Sequence, residues 1–157
     1  MLFQKKEKVM LSPADGEAIP LSAVPDEAFS SGILGVGFAI KPSAGTVYCP
    51  VSGKIETITE TRHAYTVLTD DGLDVLIHIG IDTVKLGGEG FLSMVSEGER
   101  IKAGDVIARV DLDLIAKKGL DTVIPVVITN PEKLTQNRIT TGKALGGKSE
   151  ILRYRFV

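Results

Sequence analysis

The chain has 157 residues, 18 basic against 20 acidic side chains, a formal net charge of −2 and 43% hydrophobic residues, enough to bury a core in one compact domain without disulfides or metals. The basic residues are scattered, which argues against an electrostatic footprint for DNA or RNA. No apolar run reaches membrane-spanning length, and a single cysteine, Cys49, excludes an intramolecular disulfide and a cysteine-based zinc site.

In chain order, MLFQKKEKV has too short an apolar stretch for a secretory signal. Residues 1–8 therefore read as a short tail and 9–157 as a single domain of a cytoplasmic protein. The runs GTVYCPV, KIETI, YTVLT, LDVLIHIGI, DVIARV and TVIPVVIT are β-branched and aliphatic, and clusters of Gly, Pro, Asp and Ser separate them. That pattern predicts an all-β fold, an antiparallel sandwich or barrel. Cys49, beside Pro50, reads as a small buried thiol. DLDLIAKKG, with aspartates at its start and Gly119 to end it, is the best helical candidate, and only short helices are expected. The final ILRYRFV alternates Leu152, Tyr154 and Phe156 with Arg153 and Arg155, as a half-buried strand should. A weak echo also runs along the chain. Pro13-Ala-Asp-Gly16 is followed by Gly35-Val-Gly-Phe38, and Pro50-Val-Ser-Gly53 by Gly88-Glu-Gly-Phe91, which suggests an internal duplication of one β motif.

Both histidines of the chain lie in HAYTVLTDDGLDVLIHIGIDTV, residues 63–84, at the ends of what reads as a hairpin. A two-residue tip at Asp70-Asp71 makes His63 and His78 face each other, and one at Asp71-Gly72 makes them diagonal neighbours. A three-residue tip or a bulge would separate them onto opposite faces. Two adjacent imidazoles, one flanked by Ile77 and Ile79, favour the neutral form. A neutral imidazole has a nucleophilic nitrogen, and its neighbour can hydrogen-bond whatever the first captures, which suits a covalent adduct. From the residues alone, this role and that of ordinary strand histidines both stay open.

HIGIDTVKLGGEGF, residues 78–91, strongly resembles the IIA component of the glucose family of the bacterial sugar phosphotransferase system. SPADGEAIPLSAVPDEAF, GFAIKP, CPVSGKI, Thr61-Arg62-His63, SEGERIKAGD and VIPVVITN follow in the family's order, so the resemblance covers most of the chain up to about Lys133. It implies a β-sandwich phosphocarrier that needs no cofactor or metal. In it, His78 takes a phosphoryl group from the phosphocarrier HPr and passes it to a cysteine of a IIB component for sugar uptake. By the same resemblance His63 hydrogen-bonds the phosphoryl oxygens and Thr61 holds His63 in one tautomer, a role that fits a threonine two residues away on the same strand face. Backbone N–H groups near Gly80 are the other donors available. Asp26 and Asp82 match acidic residues flanking the site, and Phe29, Leu34 and Val84 match an apolar ring where partners dock. Departures are Val36, where the family commonly has aspartate, and Thr59 and Leu76, where some members carry phenylalanine.

Three other functions compete with this one. A lipoyl or biotinyl carrier would explain PVSGKI and EGERIKAGDVIARV, but no lysine stands at a suitable hairpin tip. A zinc peptidase needs three ligands, so Asp82 would have to join the two histidines. A non-catalytic regulator with the same fold would be told apart by phosphorylation of His78.

Overall fold

A computed structural model describes residues 6–157. Of the short tail expected over residues 1–8, residues 1–5 lie outside the described residues, and Lys8 already belongs to the first strand. The strands are β1 (Lys8–Leu11), β2 (Gly16–Pro20), β3 (Val36–Pro42), β4 (Thr46–Tyr48), β5 (Gly53–Ile58), β6 (Ala64–Leu68), β7 (Asp74–His78), β8 (Phe91–Ser93), β9 (Arg100–Ile101), β10 (Val106–Val110), β11 (Ile124–Ile128), β12 (Leu134–Ile139), β13 (Gly142–Ala144) and β14 (Glu150–Phe156). They form an eight-stranded sheet in the order β13-β2-β3-β11-β7-β6-β5-β9 and two three-stranded sheets, β1-β14-β12 and β4-β10-β8. All pairings described are antiparallel. The all-β sandwich expected from the short runs is the fold observed.

The large sheet is covered on both faces, and residue parity sorts the side chains. Phe38 and Ile40 of β3, Ile124, Val126 and Ile128 of β11 and Val75 and Ile77 of β7 enter the main core. Ala39, Val123 and Val127 turn to a smaller cluster with Ile19, Leu21, Val24, Phe29 and Ile81, against which Leu76 packs. Every residue of β11 is therefore buried, and a strand dry on both faces reads as an unbroken apolar run. His78 lies on the Leu76 side of β7, at the edge of the smaller cluster.

Among the described residues there are two short α-helices, α1 (Glu27–Ser30) and α2 (Leu112–Lys117). The Asp111 carboxylate accepts from Leu114 N–H at 3.1 Å to start α2, and Gly119 at φ 76° follows its end, as DLDLIAKKG predicts. In α1 the cap is Asp26, whose carboxylate accepts from Ala28 N–H at 2.9 Å. In β14, Leu152 and Tyr154 are buried while Arg153 and Arg155 are only partly covered.

Gly16 and Gly53 of the suggested echo each open a strand and lie so close to a neighbour, Lys41 or Leu68, that a Cβ would strike the carbonyl oxygen, as one also would at Gly35, Gly37 and Gly45. Beyond Gly16 and Gly53 the copies part, since Phe38 lies in the eight-stranded sheet and Phe91 opens a strand of the β4-β10-β8 sheet.

Candidate active site

The β6–β7 hairpin does not have the two-residue tip expected. Its last pair is Leu68 with Asp74, so the tip runs from residue 69 to 73. Buried Thr69 stitches it, accepting from Leu73 N–H at 2.9 Å and donating to Asp71 at 2.6 Å, while Gly72 supplies φ 97°. With that odd count His78 pairs with Ala64, not His63. Unbroken pleating would send the two imidazoles to opposite faces.

They meet all the same, because His63 lies outside the strand. Arg62 before it is left-handed at φ 58°, and the His63 carbonyl accepts from Ile79 N–H at 2.7 Å, which ends the ladder. The rings stand 4.9 Å apart between centroids and nearly perpendicular, at 79°. Thr61 belongs to the same turn, not to a strand face as its spacing suggested. Its hydroxyl lies 2.5 Å from His63 Nδ1.

His78 Nδ1 lies 2.7 Å from the Gly80 carbonyl oxygen, which can only accept. Nδ1 therefore carries the hydrogen and Nε2 keeps its lone pair. Gly80 has φ 79°, and a Cβ there would strike Thr83 Cγ2 and come within 3.0 Å of the Asp121 carbonyl oxygen. Fully buried Thr83 in turn donates to the Ile79 carbonyl at 2.6 Å, closing the turn after His78. Gly80→Ala combines overpacking with a left-handed alanine, so we expect a loss of about 2–4 kcal/mol in urea unfolding. A variant as stable as wild type would mean that the turn relaxes freely.

Backbone N–H donors near Gly80 were expected to face the site. Those of Gly80 and Ile81 are instead taken, at 2.9 Å each, by the carbonyls of Val123 and Asp121. Phe29, expected in the apolar ring around the histidines, packs against one of them. It is only 6% exposed, and its ring centroid is 5.2 Å from that of His78, so it walls the imidazole. Leu34 and Val84 are exposed at 36% and 54%, and Ile33, which no motif marked, at 80%. Asp82 is left-handed at φ 59° and, like Asp26, is near enough to His78 to act on its charge. Among the described residues no group of three or more His, Cys, Asp or Glu side chains could hold a metal ion, so His63, His78 and Asp82 do not form the zinc site considered above.

Burial, reinforced by the charge His78 would carry, pushes His63 below its ordinary 6.5. Burial lowers His78 too, and the Gly80 carbonyl, Asp26 and Asp82 pull upward without overcoming it. Both rings are neutral near pH 7. The unfolded chain then binds more protons than the folded one just below pH 6.5. The histidines' contribution to stability is thus full above that pH and lost as pH falls through it toward the lowered folded values. Urea midpoints between about pH 7.5 and about pH 5 should fall less steeply for a His63→Gln/His78→Gln double variant than for wild type. Equal slopes would show that the imidazoles are not perturbed.

The family model described as phosphoenolpyruvate-dependent sugar phosphotransferase system, EIIA 1, matches residues 8–134. The chain belongs to this family. It is also similar to the solved structure of glucose permease IIA from Mycoplasma capricolum, with 38% identity, 97% of this chain and 99% of that chain covered, and a TM-score of 0.89. As a glucose-family IIA component the chain has a phosphotransfer role in sugar transport. No helix among its described residues is long and apolar enough to cross a membrane. The family match ends at 134, and the IIA chain continues through β12, β13 and β14, of which β14 pairs with β1.

Thr59 gave no functional signal in the sequence beyond standing where phenylalanine is sometimes found. Its hydroxyl nevertheless accepts from the N–H groups of His63 and Ala64, both at 3.1 Å, and lies 3.3 Å from His63 Nδ1.

Proposed function

We propose that this IIA component is a cytoplasmic phosphocarrier that accepts a phosphoryl group from phospho-HPr on His78 Nε2 and delivers it to a IIB cysteine. The observation that carries this is the Gly80 carbonyl on His78 Nδ1, which leaves Nε2 as a bare nucleophile beside a second imidazole. The His78 lone pair forms the new N–P bond as the N–P bond of the donor breaks, and the donor imidazole keeps that electron pair. A IIB thiolate later attacks the same phosphorus, and the electrons of the His78 N–P bond return to Nε2. Transfer between nitrogens needs little covalent help, so alignment and support of the spread negative charge dominate.

His63 supplies that support when its proton is on Nε2, with Thr61 donating to Nδ1. Leu34, Val84 and Ile33 form the exposed apolar rim for the protein partners, with Asp26 and Asp82 beside it. The test is incubation with phosphoenolpyruvate, enzyme I and HPr, followed by intact mass and peptide mapping. One phosphoryl group on His78, labile in mild acid and stable in alkali, is the expected result. Unmodified protein where a control IIA is phosphorylated would overturn the proposal.

Cys49 takes no part in this scheme. It is fully buried, its thiol donates to the Val51 carbonyl at 3.1 Å, and burial pushes its pKa up to about 12. A thiol that stays protonated is neither a nucleophile nor a ready target of oxidation. Cys49→Ser keeps a donor for Val51, and its phosphoryl acceptance should stay within a few-fold of wild type. Loss of acceptance in a variant with a normal unfolding transition would bring the thiol into the reaction.

A further inference from the structure

At its tip, the β6–β7 hairpin borders a cavity of about 270 Å³. Each strand of the hairpin has five residues, so the tip is about 17 Å along the strands from the imidazoles at the other end. Asp70 and Asp71 of the tip line the cavity, β1 and β14 add Lys8 and Tyr154, and Val51 and Ala103 give it apolar surface. Tyr154 is only 4% exposed, and its hydroxyl makes no hydrogen bond among the described residues. Burial and the nearby Asp71 charge push this phenol up to about 12, so it keeps its proton and stands as a donor without an acceptor. Asp71 accepts from Thr69 on one oxygen and from Lys8 on the other, which leaves about two of the four lone-pair sites of a carboxylate. Ser52, at the exposed rim, accepts from Ala103 N–H at 2.9 Å and has its own proton to offer.

A group between Tyr154 and Asp71 has to accept from the first and donate to the second. A carboxylate cannot donate and an ammonium cannot accept, whereas an alcohol does both. Two aspartates on the wall also disfavour an anion. The volume is several times the ~30 Å³ of one water and just below the roughly 300–1,000 Å³ of pockets for drug-sized ligands. We propose that this cavity is a binding site for a neutral, hydroxyl-rich ligand of monosaccharide size, with one hydroxyl bridging Tyr154 and Asp71. Lys8 and Ser52 supply further donors, and Val51 and Ala103 meet the C–H face of the ligand. None of these groups belongs to the phosphoryl-transfer site, so sugar binding here and phosphorylation of His78 stand or fall separately.

The test is a titration of the ¹⁵N-labelled full chain, followed by amide shifts, with glucose, mannose, N-acetylglucosamine and mannitol, and with glucose 6-phosphate as the anionic counterpart. At least one neutral compound should give saturable shifts at millimolar concentration or below, largest at Ser52, residues 69–73 and Tyr154. Tyr154→Phe removes only the hydroxyl and should weaken that binding by about fivefold to tenfold, the scale of one net hydrogen bond. Its urea midpoint should stay near wild type, because the hydroxyl has no protein partner to lose. No saturable shift with any neutral compound at tens of millimolar would leave water as the natural occupant and overturn the proposal. Shifts confined to the histidine end, tighter binding of glucose 6-phosphate than of glucose, or undiminished binding to Tyr154→Phe would overturn it too. If Tyr154→Phe does not fold, Ser52→Ala decides in its place, weakened binding supporting the site and equal binding overturning it.

Discussion

His78→Ala should gain no phosphoryl group in a mixture that fully phosphorylates the wild-type protein. The effect is expected to be complete because no other side chain in the site can replace the nucleophile. The His63 Nδ1 is held by Thr61, and its other nitrogen, when protonated, has no lone pair to give. Cys49 is buried and protonated. His78 closes β7 at the sheet end and is only partly covered, so its truncation removes contact with Phe29 without opening the main core. The urea midpoint should therefore move modestly, by about 1 kcal/mol. Intact mass and peptide mapping check the result. A folded variant that still gains phosphate, now on His63, would exchange the roles of the two histidines.

His63→Gln should separate acceptance from delivery. If His63 mainly donates to the charge that develops on the phosphoryl oxygens, its loss leaves His78 Nε2 bare and able to attack. Delivery to IIB then lacks one preorganised donor in a largely water-excluded setting, a loss of about 10²–10³ in rate. The phospho-form should accumulate at steady state. Single-turnover transfer from isolated phosphoprotein to a IIB domain measures the delivery step directly. Loss of acceptance with the fold intact would instead assign His63 to the attack itself. Glutamine retains an amide donor but not the Thr61 contact geometry, so an intermediate result in delivery is the signature of a misplaced donor.

Much of this architecture is legible in the residues, for identifiable reasons. Within TVIPVVIT the strand itself, IPVVI, is apolar throughout because both faces of the large sheet are dry at β11. The helix in DLDLIAKKG follows from an aspartate cap and a terminal glycine, both local features. The histidine pair was found for a reason that proved incomplete. Tip parity assumed a two-residue turn at Asp70-Asp71 or Asp71-Gly72, whereas the Thr69 side chain makes a longer one whose odd count would have kept the rings apart. What brings them together is a left-handed Arg62, and a positive φ at arginine has no sequence signature. Phe29 was placed beside the histidines by resemblance, and its burial against His78 is visible only once the short helix that carries it is folded. Thr59 was passed over because its backbone partners, the N–H groups of His63 and Ala64, are brought to its hydroxyl by the fold of the turn and not by any motif.

Among the described residues, Arg62 and Asp82 are the non-glycine positions with left-handed backbone, and each adjoins the turn that carries one imidazole. Such a conformation costs an ordinary side chain about 1–3 kcal/mol where glycine adopts it easily. That is a noticeable share of a net stability that for most domains is about 5–15 kcal/mol. A search for heat-resistant variants would be drawn to these two positions and would place glycine at both. Each gain in melting temperature would then loosen the hold on one histidine. The durability of this protein and the speed of its chemistry are thus set against each other at two backbone torsions.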